Sequence, residues 1–320
     1  MMSTVITAGL LVLCVVSSGL IGNLYKALSN KSKNAAVSTA LPMVWFLLLS
    51  LVFLGVALIT KEPFQRECVM WAVLGGVCLA VAVTILIESM KTNALSIAII
   101  IVNLNFIITI LFSIWFIPGE QASVVPLVGM MLSALIIIIM NKNGNQEGNN
   151  EKKGSSVLPL VIASVGNGLL NFFMKMNTAK TANQIDGKET SCVFWYFVIL
   201  YFSGAVTCFL ASTFMNLAKG QKGFPLDAKT VKSVWVPTLL FGVCEGVCFY
   251  ASLLLTERIN ATAQFTIITC GAILFSLIVG MIFQGEKFTK KTAISMVFCL
   301  IAILCQGYSD VIHMVSRIFA

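Results

Sequence analysis

Glu245 is the residue whose type and position most strongly suggest chemistry in this chain of 320 residues. It lies in the apolar stretch Phe241–Phe249, near the middle of a segment long enough to cross a lipid bilayer. An acidic side chain at that depth costs roughly 3 kcal/mol, so it must face an aqueous cavity, lie beside a cation or carry a proton. Ionisable groups within membranes usually serve transport, which makes Glu245 a candidate for binding substrate or protons. A neutral, hydrogen-bonded structural glutamate is the alternative.

Asparagines and lysines in two other apolar segments form a second group of candidates. Asn167, Asn171 and Lys175 are spaced four residues apart, so they share one face of a helix. Asn23 and Lys26 form a corresponding pair near the start of the chain. Amide side chains both donate and accept hydrogen bonds, as the wall of a polar cavity requires. The lysines are candidate charge partners for a substrate, although long Lys side chains near helix ends commonly extend to the membrane surface.

Four further side chains complete the predicted site. Asn103 interrupts the apolar run 99–117, and Thr269 occupies the corresponding region of the second half of the chain. Tyr201 and Tyr250 could hold an organic cation by cation–π contact, or anchor their segments at the membrane interface. The predicted substrate-binding residues are therefore Asn23, Asn103, Asn167, Asn171, Tyr201, Glu245, Tyr250 and Thr269.

The composition indicates that membrane-spanning helices position these residues. Apolar and aromatic residues make up 58% of the chain and charged residues 11%, whereas soluble domains are about 25% charged. This excludes an ordinary soluble enzyme and a disordered chain, and it makes nucleic acid an unsuitable partner despite the net charge of +8. We predict an all-α integral membrane protein of the cell membrane with ten transmembrane helices. Their predicted ranges are 4–25, 36–60, 68–89, 94–117, 123–140, 157–176, 190–213, 233–256, 261–284 and 289–308.

A polar linker divides the chain into two halves that resemble each other. The stretch 141–156 contains no aliphatic or aromatic residue, so we predict a solvated linker between the five-helix units 1–140 and 157–320. An offset of 149 aligns Gly19 with Gly168, and an offset of 167 aligns Gly75 with Gly242. Because five is odd, consecutive copies cross the membrane in opposite directions. Such inverted repeats are a known construction of secondary transporters.

A Gly-Glu pair ends the fourth span of each half, at Gly119-Glu120 and Gly285-Glu286, and one last apolar helix follows each pair. Together with the two five-span halves, this pattern resembles the ten-span EamA-like members of the drug/metabolite transporter superfamily over nearly the whole chain. The family often has Trp-Gly-Ser in its first span, where this chain has Ser18-Gly19-Leu20. The resemblance implies a central cavity lined by both halves and alternating access to its two sides.

The sequence therefore predicts a secondary transporter of a small polar or organic metabolite, either coupled to protons through Glu245 or running downhill. A nucleotide-sugar-like exchanger is the alternative within transport, and it would need Lys26 or Lys175 as a phosphate partner. A membrane-embedded enzyme and a structural subunit are the other classes. His313 is the sole histidine, so we expect no His-based metal site, and we expect no cofactor. The motif GxxxxGK[ST] is absent, which argues against ATP-driven pumping.

Two features stay open at this stage. Most of the 21 Lys and Arg residues lie in loops that follow the odd-numbered spans, and the positive-inside rule would then place the termini outside. The family resemblance implies cytoplasmic termini instead. The sequence is compatible with either a monomer or a homodimer.

Overall fold

The apolar segments of the sequence form long helices in the computed structural model of the protein. The structure describes residues 2–32, 34–93, 95–116, 131, 157–181, 183–185, 188–190, 192–220, 224–226, 228–256 and 261–284, and isolated positions between 290 and 305. The predicted fifth span apart from residue 131, the linker 141–156, both Gly-Glu pairs and most of the predicted tenth span lie outside these residues.

Nine helices are assigned in the described part of the chain, joined by short connections. In chain order they are α1 (Met2–Lys31), α2 (Ala35–Thr60), α3 (Glu67–Ser89), α4 (Leu95–Val102), α5 (Phe106–Phe116), α6 (Leu158–Thr181), α7 (Val193–Ala218), α8 (Ala228–Thr256) and α9 (Ala261–Gln284). Between α6 and α7, β1 (Asn183–Ile185) and β2 (Lys188–Thr190) form an antiparallel hairpin that the apolar pattern did not predict.

Seven stretches among the described helices are long and apolar enough to cross a membrane, and α9 adds a shorter apolar stretch at Ile268–Ile282. Their outward faces carry large apolar side chains, such as Ile59 at 83% exposure and Phe214 at 74%. A continuous apolar exterior is unfavourable in water and is accommodated by lipid. The chain is therefore an all-α membrane protein with several spanning helices.

The ends of α2 are set by local sequence. The Asn34 side chain accepts a hydrogen bond from the Val37 N–H at 2.9 Å and so caps the first turn. At the other end Lys61 adopts a left-handed conformation, with φ of 53°, and its N–H bonds back to the last turn. The chain consequently leaves α2 at residue 61 and turns across the end of the bundle before α3 begins.

The fourth predicted span is a broken helix. A 3₁₀ turn at Asn103–Asn105 separates α4 from α5. The Asn103 side-chain amide donates to the Ile99 carbonyl at 2.8 Å, inside the preceding turn. Asparagine side chains compete in this way with backbone hydrogen bonding, and a 3₁₀ interruption within a helix often marks a functional hinge. The sequence indicated a polar interruption here but not a change of helix type.

The two halves of the chain pack against each other through several helix pairs. Helix α2 packs on α7, α3 packs on α6 and α7, α1 packs on α8 and α9, and both α4 and α5 contact α6. Among the glycines of the described helices, Gly76 of α3 has the tightest surroundings, since an added Cβ would overlap Ser203 Oγ and the Leu200 carbonyl of α7. Small residues at such crossings let helix backbones touch within a membrane.

The loop after α2 caps a helix of the other half. One carboxylate oxygen of Glu62 accepts hydrogen bonds from the N–H groups of Val193 and Phe194 at 2.9 and 3.2 Å, and the other accepts from Trp195 N–H at 3.0 Å. The Trp195 indole N–H donates in return to the Glu62 carbonyl at 2.9 Å. An anion at a helix N-terminus satisfies unpaired N–H groups and interacts favourably with the helix dipole. Glu62 therefore ties the first half to the start of α7.

Replacing Glu62 by Ala is expected to lower the free energy of unfolding by roughly 1–2 kcal/mol, because several N–H groups of α7 lose their acceptor. Glu67→Ala is the matched control: Glu67 is exposed in the first turn of its own helix, α3. Thermal unfolding in one detergent would measure both variants. Equal midpoints for the two variants would show that the cap contributes nothing to stability.

Candidate functional site

Glu245 lies buried in the middle of α8, with 8% of its surface exposed. Its Oε1 accepts a hydrogen bond from the Tyr201 hydroxyl of α7 at 3.0 Å, and its Oε2 has no hydrogen-bond partner among the described residues. No Lys or Arg nitrogen of the described residues lies within 4.0 Å of it. The structure thus brings together two of the predicted site residues, Glu245 and Tyr201, at a contact between α7 and α8.

Aromatic rings from three helices, α1, α2 and α8, lie around this pair. Tyr25 of α1 lies 4.7 Å from Phe241 of α8 between ring centroids, and Phe241 lies 4.6 Å from Trp45 of α2. Phe46 of α2 then lies 5.8 Å from Tyr201. We call Tyr25, Trp45, Phe46, Tyr201 and Phe241 the aromatic shell. An unpaired charge in such surroundings is costly, so the Glu245 carboxyl is stable there only when it is protonated or when a cation lies beside it.

The glycines on either side of Glu245 face α2. A Cβ added at Gly242 would lie 3.7 Å from Leu48, and one added at Gly246 would lie 3.5 Å from Leu49. Both are ordinary van der Waals distances, so the packing of α2 against this face of α8 does not depend on the absence of a Cβ. The approach of α2 brings Trp45 against Phe241 and so closes one side of the aromatic shell.

Asn23 lies in a separate polar contact between α1 and α9. Its side-chain amide donates to the Gly19 carbonyl at 3.0 Å and to the Ser276 carbonyl at 3.4 Å. The Ser276 hydroxyl also donates to the Gly19 carbonyl, at 2.7 Å. Thr269 is half-buried two turns earlier on α9. Asn23 therefore joins two helices, and its role towards a substrate stays a prediction.

The predicted polar face of α6 lies beside the broken fourth span. Asn167 and Asn171 are half-buried, whereas Lys175 is exposed and donates to the Ser113 hydroxyl of α5 at 3.4 Å. Between them, Gly168 lies against the 3₁₀ turn, and the Thr109 hydroxyl donates to its carbonyl at 3.0 Å. Asn103 is half-buried within the same turn.

Two other candidates lie away from the aromatic shell. Lys26 donates from its ammonium group to the carbonyls of Met90 and Asn93, at the end of α3. It thus stabilises a helix C-terminus, where a cation is favourable. Tyr250 is 56% exposed on α8 and points away from Glu245, as five residues of helical rotation require. Their predicted contacts with substrate stay untested.

Three residues that the sequence did not single out contribute to the site or to the helix packing around it, namely Phe241, Tyr25 and Glu62. Phe241 stands four residues before Glu245, so helical spacing alone could have placed it on the same face. Tyr25 and Glu62 act through contacts with helices of the other half, at sequence distances that no local pattern indicates. Among the described residues, no cluster of three or more His, Cys, Asp or Glu side chains could hold a metal ion.

Neither a family model nor a curated protein matches this chain. Among solved structures, 27 chains are similar to it. One is a crystal structure described only as that of a protein, with a TM-score of 0.52, 14% sequence identity, and coverage of 92% of this chain and 97% of the other. At this identity the likeness shows a shared fold alone, so any function must be argued from the site.

Proposed function

We propose that the chain is a secondary transporter of a small polar or organic metabolite, coupled to protons through Glu245. The observation that carries the proposal is the buried Glu245 carboxyl, held by one hydrogen bond from Tyr201 and with its second oxygen unpartnered among the described residues. A carboxyl group in this setting can take up a proton when no cation is present and release it when a cationic group or water enters. That exchange is the elementary step of proton coupling.

A pair of matching hydrogen bonds supports an inverted duplication. Ser276 donates to the Gly19 carbonyl at 2.7 Å, and Thr109 donates to the Gly168 carbonyl at 3.0 Å. The offset of 149 residues relates the two glycines, and the offset of 167 relates the two hydroxyl residues, as in the sequence alignment of the halves. Two corresponding bonds between two corresponding helix pairs are difficult to explain by apolar composition alone.

The helix contacts support the same arrangement. In the two halves α1 corresponds to α6, α2 to α7, α3 to α8, and the broken helix α4–α5 to α9. If each helix is exchanged for its counterpart, the pair α1–α8 becomes α6–α3, and the pair α1–α9 becomes α6 with α4 and α5. Likewise α3–α7 becomes α8–α2, and α2–α7 maps onto itself. All of these pairs are in contact. We infer ten spans in two inverted five-helix repeats, with the remaining spans in the segments 123–140 and 289–308.

The broken fourth span favours a binding region near the middle of the membrane. Discontinuous helices commonly provide the substrate sites of secondary transporters, since the interrupted backbone offers polar groups at depth. Here the interruption at Asn103–Asn105 lies against Gly168 of α6, next to Asn167. We propose that these groups and the Glu245 region contact the substrate from the two halves.

These features agree with the resemblance to the EamA-like drug/metabolite transporters, which we propose as the family, with the cell membrane as the site of action and a monomer or homodimer as the working unit. The nucleotide-sugar-like alternative gains no support from Lys26, since that ammonium group binds backbone carbonyls. The enzyme alternative predicts turnover by detergent-solubilised protein, where no compartments exist.

A thermal-shift screen followed by uptake measurements tests the proposal. Amino acids, amines, nucleosides and sugar derivatives would be added to the purified protein, and a ligand that binds the folded state raises the unfolding midpoint. Each stabilising compound would then be measured for counterflow into proteoliposomes. We expect at least one compound to be exchanged across the bilayer. Binding without exchange, or chemical conversion in detergent, would contradict a transport function.

A further inference from the structure

A narrow cleft opens towards the lipid between α2 and α8, on the outer side of Trp45. Its volume is about 240 Å³, whereas pockets for drug-sized ligands run from about 300 to 1,000 Å³. Val44, Trp235 and Leu239 form its outer rim and are between 39% and 53% exposed. Apart from Thr238, the lining consists of aliphatic and tryptophan side chains. The shape and chemistry suit a hydrocarbon chain better than a polar metabolite.

Two buried polar groups in the wall of the cleft lack partners among the described residues. The Trp45 indole N–H and the Thr238 hydroxyl each belong to a side chain that lines the cleft, and the two residues are 1% and 5% exposed. An unpaired buried donor normally costs free energy comparable to a lost hydrogen bond. Both atoms lie behind the apolar surface of the cleft, out of reach of an occupant, so the occupant that best fits the cleft itself is the hydrocarbon part of an acyl chain.

Two exposed lysines lie near the end of the cleft that is closer to the membrane surface. Lys232 is exposed on the first turns of α8, directly beside the lining residue Val231. Lys31, at the end of α1, is also exposed and donates to the Ser233 carbonyl at 2.7 Å, so its ammonium group lies at the residue that follows Lys232 in α8. Helix α2 begins four residues after Lys31, and α8 begins four residues before Lys232, so both helix N-termini, whose dipoles favour anions, are close to these lysines. Basic pockets between membrane helices recognise anionic lipid headgroups.

We propose that this cleft binds one anionic glycerophospholipid. One acyl chain occupies the space between α2 and α8, and the phosphodiester lies at Lys31 and Lys232. The proposal depends on the membrane setting of the helices and not on the transport function. A lipid at this place rests against Trp45, which forms part of the aromatic shell around Glu245.

Fluorescence quenching by brominated lipids tests the proposal. In a variant that keeps Trp45 and replaces the other four tryptophans by Phe, the probe is a buried indole in the wall of the cleft, and Phe keeps an aromatic ring at the rim position 235. The protein would be placed in phosphatidylcholine vesicles that contain an equal fraction of brominated phosphatidylglycerol or brominated phosphatidylcholine. We expect phosphatidylglycerol to reach half-maximal quenching at a roughly tenfold lower fraction, because two lysines attract its headgroup.

Matched variants separate the cleft from general contact with lipid. Val44→Phe fills the cleft from its rim and should abolish the quenching, whereas Leu51→Phe, on the lipid-exposed part of the same helix, should leave it unchanged. Lys31→Gln combined with Lys232→Gln should remove the preference for phosphatidylglycerol, and Lys219→Gln, an exposed lysine at the end of α7, should not. Equal quenching by both lipids, or quenching that survives Val44→Phe, would overturn the proposal.

Native mass spectrometry gives a second readout that does not require the tryptophan replacements. The unmodified protein should retain phosphatidylglycerol in preference to phosphatidylcholine after mild delipidation. The Lys31→Gln and Lys232→Gln double variant should lose that preference. Retention of the two lipids in equal amounts by the unmodified protein would count against the site.

Discussion

Glu245→Gln is expected to abolish accumulation of substrate driven by a pH gradient while leaving the helix bundle folded. A glutamine amide has the size of a protonated carboxyl and keeps an oxygen that can accept the Tyr201 hydrogen bond, but it cannot release a proton. If one proton is coupled to each substrate molecule, a gradient of one pH unit sustains about a tenfold concentration ratio across the membrane. The variant should bring this ratio down to about one.

Two transport measurements test this prediction. Proteoliposomes with an imposed pH difference would report the accumulation ratio of the substrate found by the thermal-shift screen, and counterflow at equal pH would report whether the substrate path is intact. Tyr201→Phe serves as the control, because it removes the hydrogen bond to Glu245 but keeps the carboxyl group that carries the proton. We expect Tyr201→Phe to keep gradient-driven accumulation. Accumulation by Glu245→Gln at the level of the unmodified protein would refute proton coupling through this residue.

The unfolding midpoint of Glu245→Gln should stay close to that of the unmodified protein. The substitution removes an ionisable group from an apolar region and adds no volume, and both changes are benign in a packed interior. A large fall in stability would instead indicate that the carboxylate is ionised and paired with a cation. The stability measurement therefore distinguishes a protonated Glu245 from a structural ion pair.

The sequence alone predicted the described long helices and the depth of Glu245 within one of them, because both depend on local properties. A run of about 20 apolar residues must form a helix in a membrane, whatever surrounds it. The position of Glu245 within such a run reveals its unusual depth. In each case the deciding residues are neighbours along the chain.

The surroundings of Glu245 could not be predicted, because they come from helices that are distant in sequence. Tyr25 and Trp45 reach Phe241 from α1 and α2, and a pattern within one segment gives no information about which helix will pack on it. The same limit explains Lys26. Its place near a helix end suggested an extension to the membrane surface, but the carbonyls at the end of α3 lie within its reach and bind it. Glu62 is a further example, because its three acceptor contacts are all with the start of α7.

The Glu245 site is linked to the contact between α3 and α7, because Tyr201 belongs to α7. Tyr201 stands three residues before Gly204, so both lie on nearly the same face of α7. A Cβ added at Gly204 would lie 3.2 Å from the Gly76 carbonyl and 3.3 Å from Phe46 of the aromatic shell. Any change that moves α3 away from α7 is thus expected to shift Tyr201 relative to Glu245. The packing of these helices sets the geometry of the proposed proton site.

Gly76→Ala is therefore expected to cause the largest loss of stability among conservative substitutions in the described helices. The new Cβ would overlap Ser203 Oγ and the Leu200 carbonyl, and it would lie 2.9 Å from Gly204 N. Two of these three atoms belong to the backbone, so a side-chain rotation cannot relieve the contact and the helices must separate. Overpacking of this kind costs about 1–3 kcal/mol, and the larger Gly76→Leu should prevent folding.

Gly55→Ala is the matched control, because a Cβ at Gly55 of α2 meets no atom within 4 Å. In that helix Ala should be neutral or stabilising by up to about 1 kcal/mol, since it loses less backbone entropy than Gly. Thermal unfolding would report both effects, and the pH dependence of transport would report whether Tyr201 has moved from Glu245 in Gly76→Ala. An unfolding midpoint for Gly76→Ala equal to that of Gly55→Ala would mean that α3 and α7 are not in backbone contact. In that case the framework proposed for the Glu245 site would be wrong.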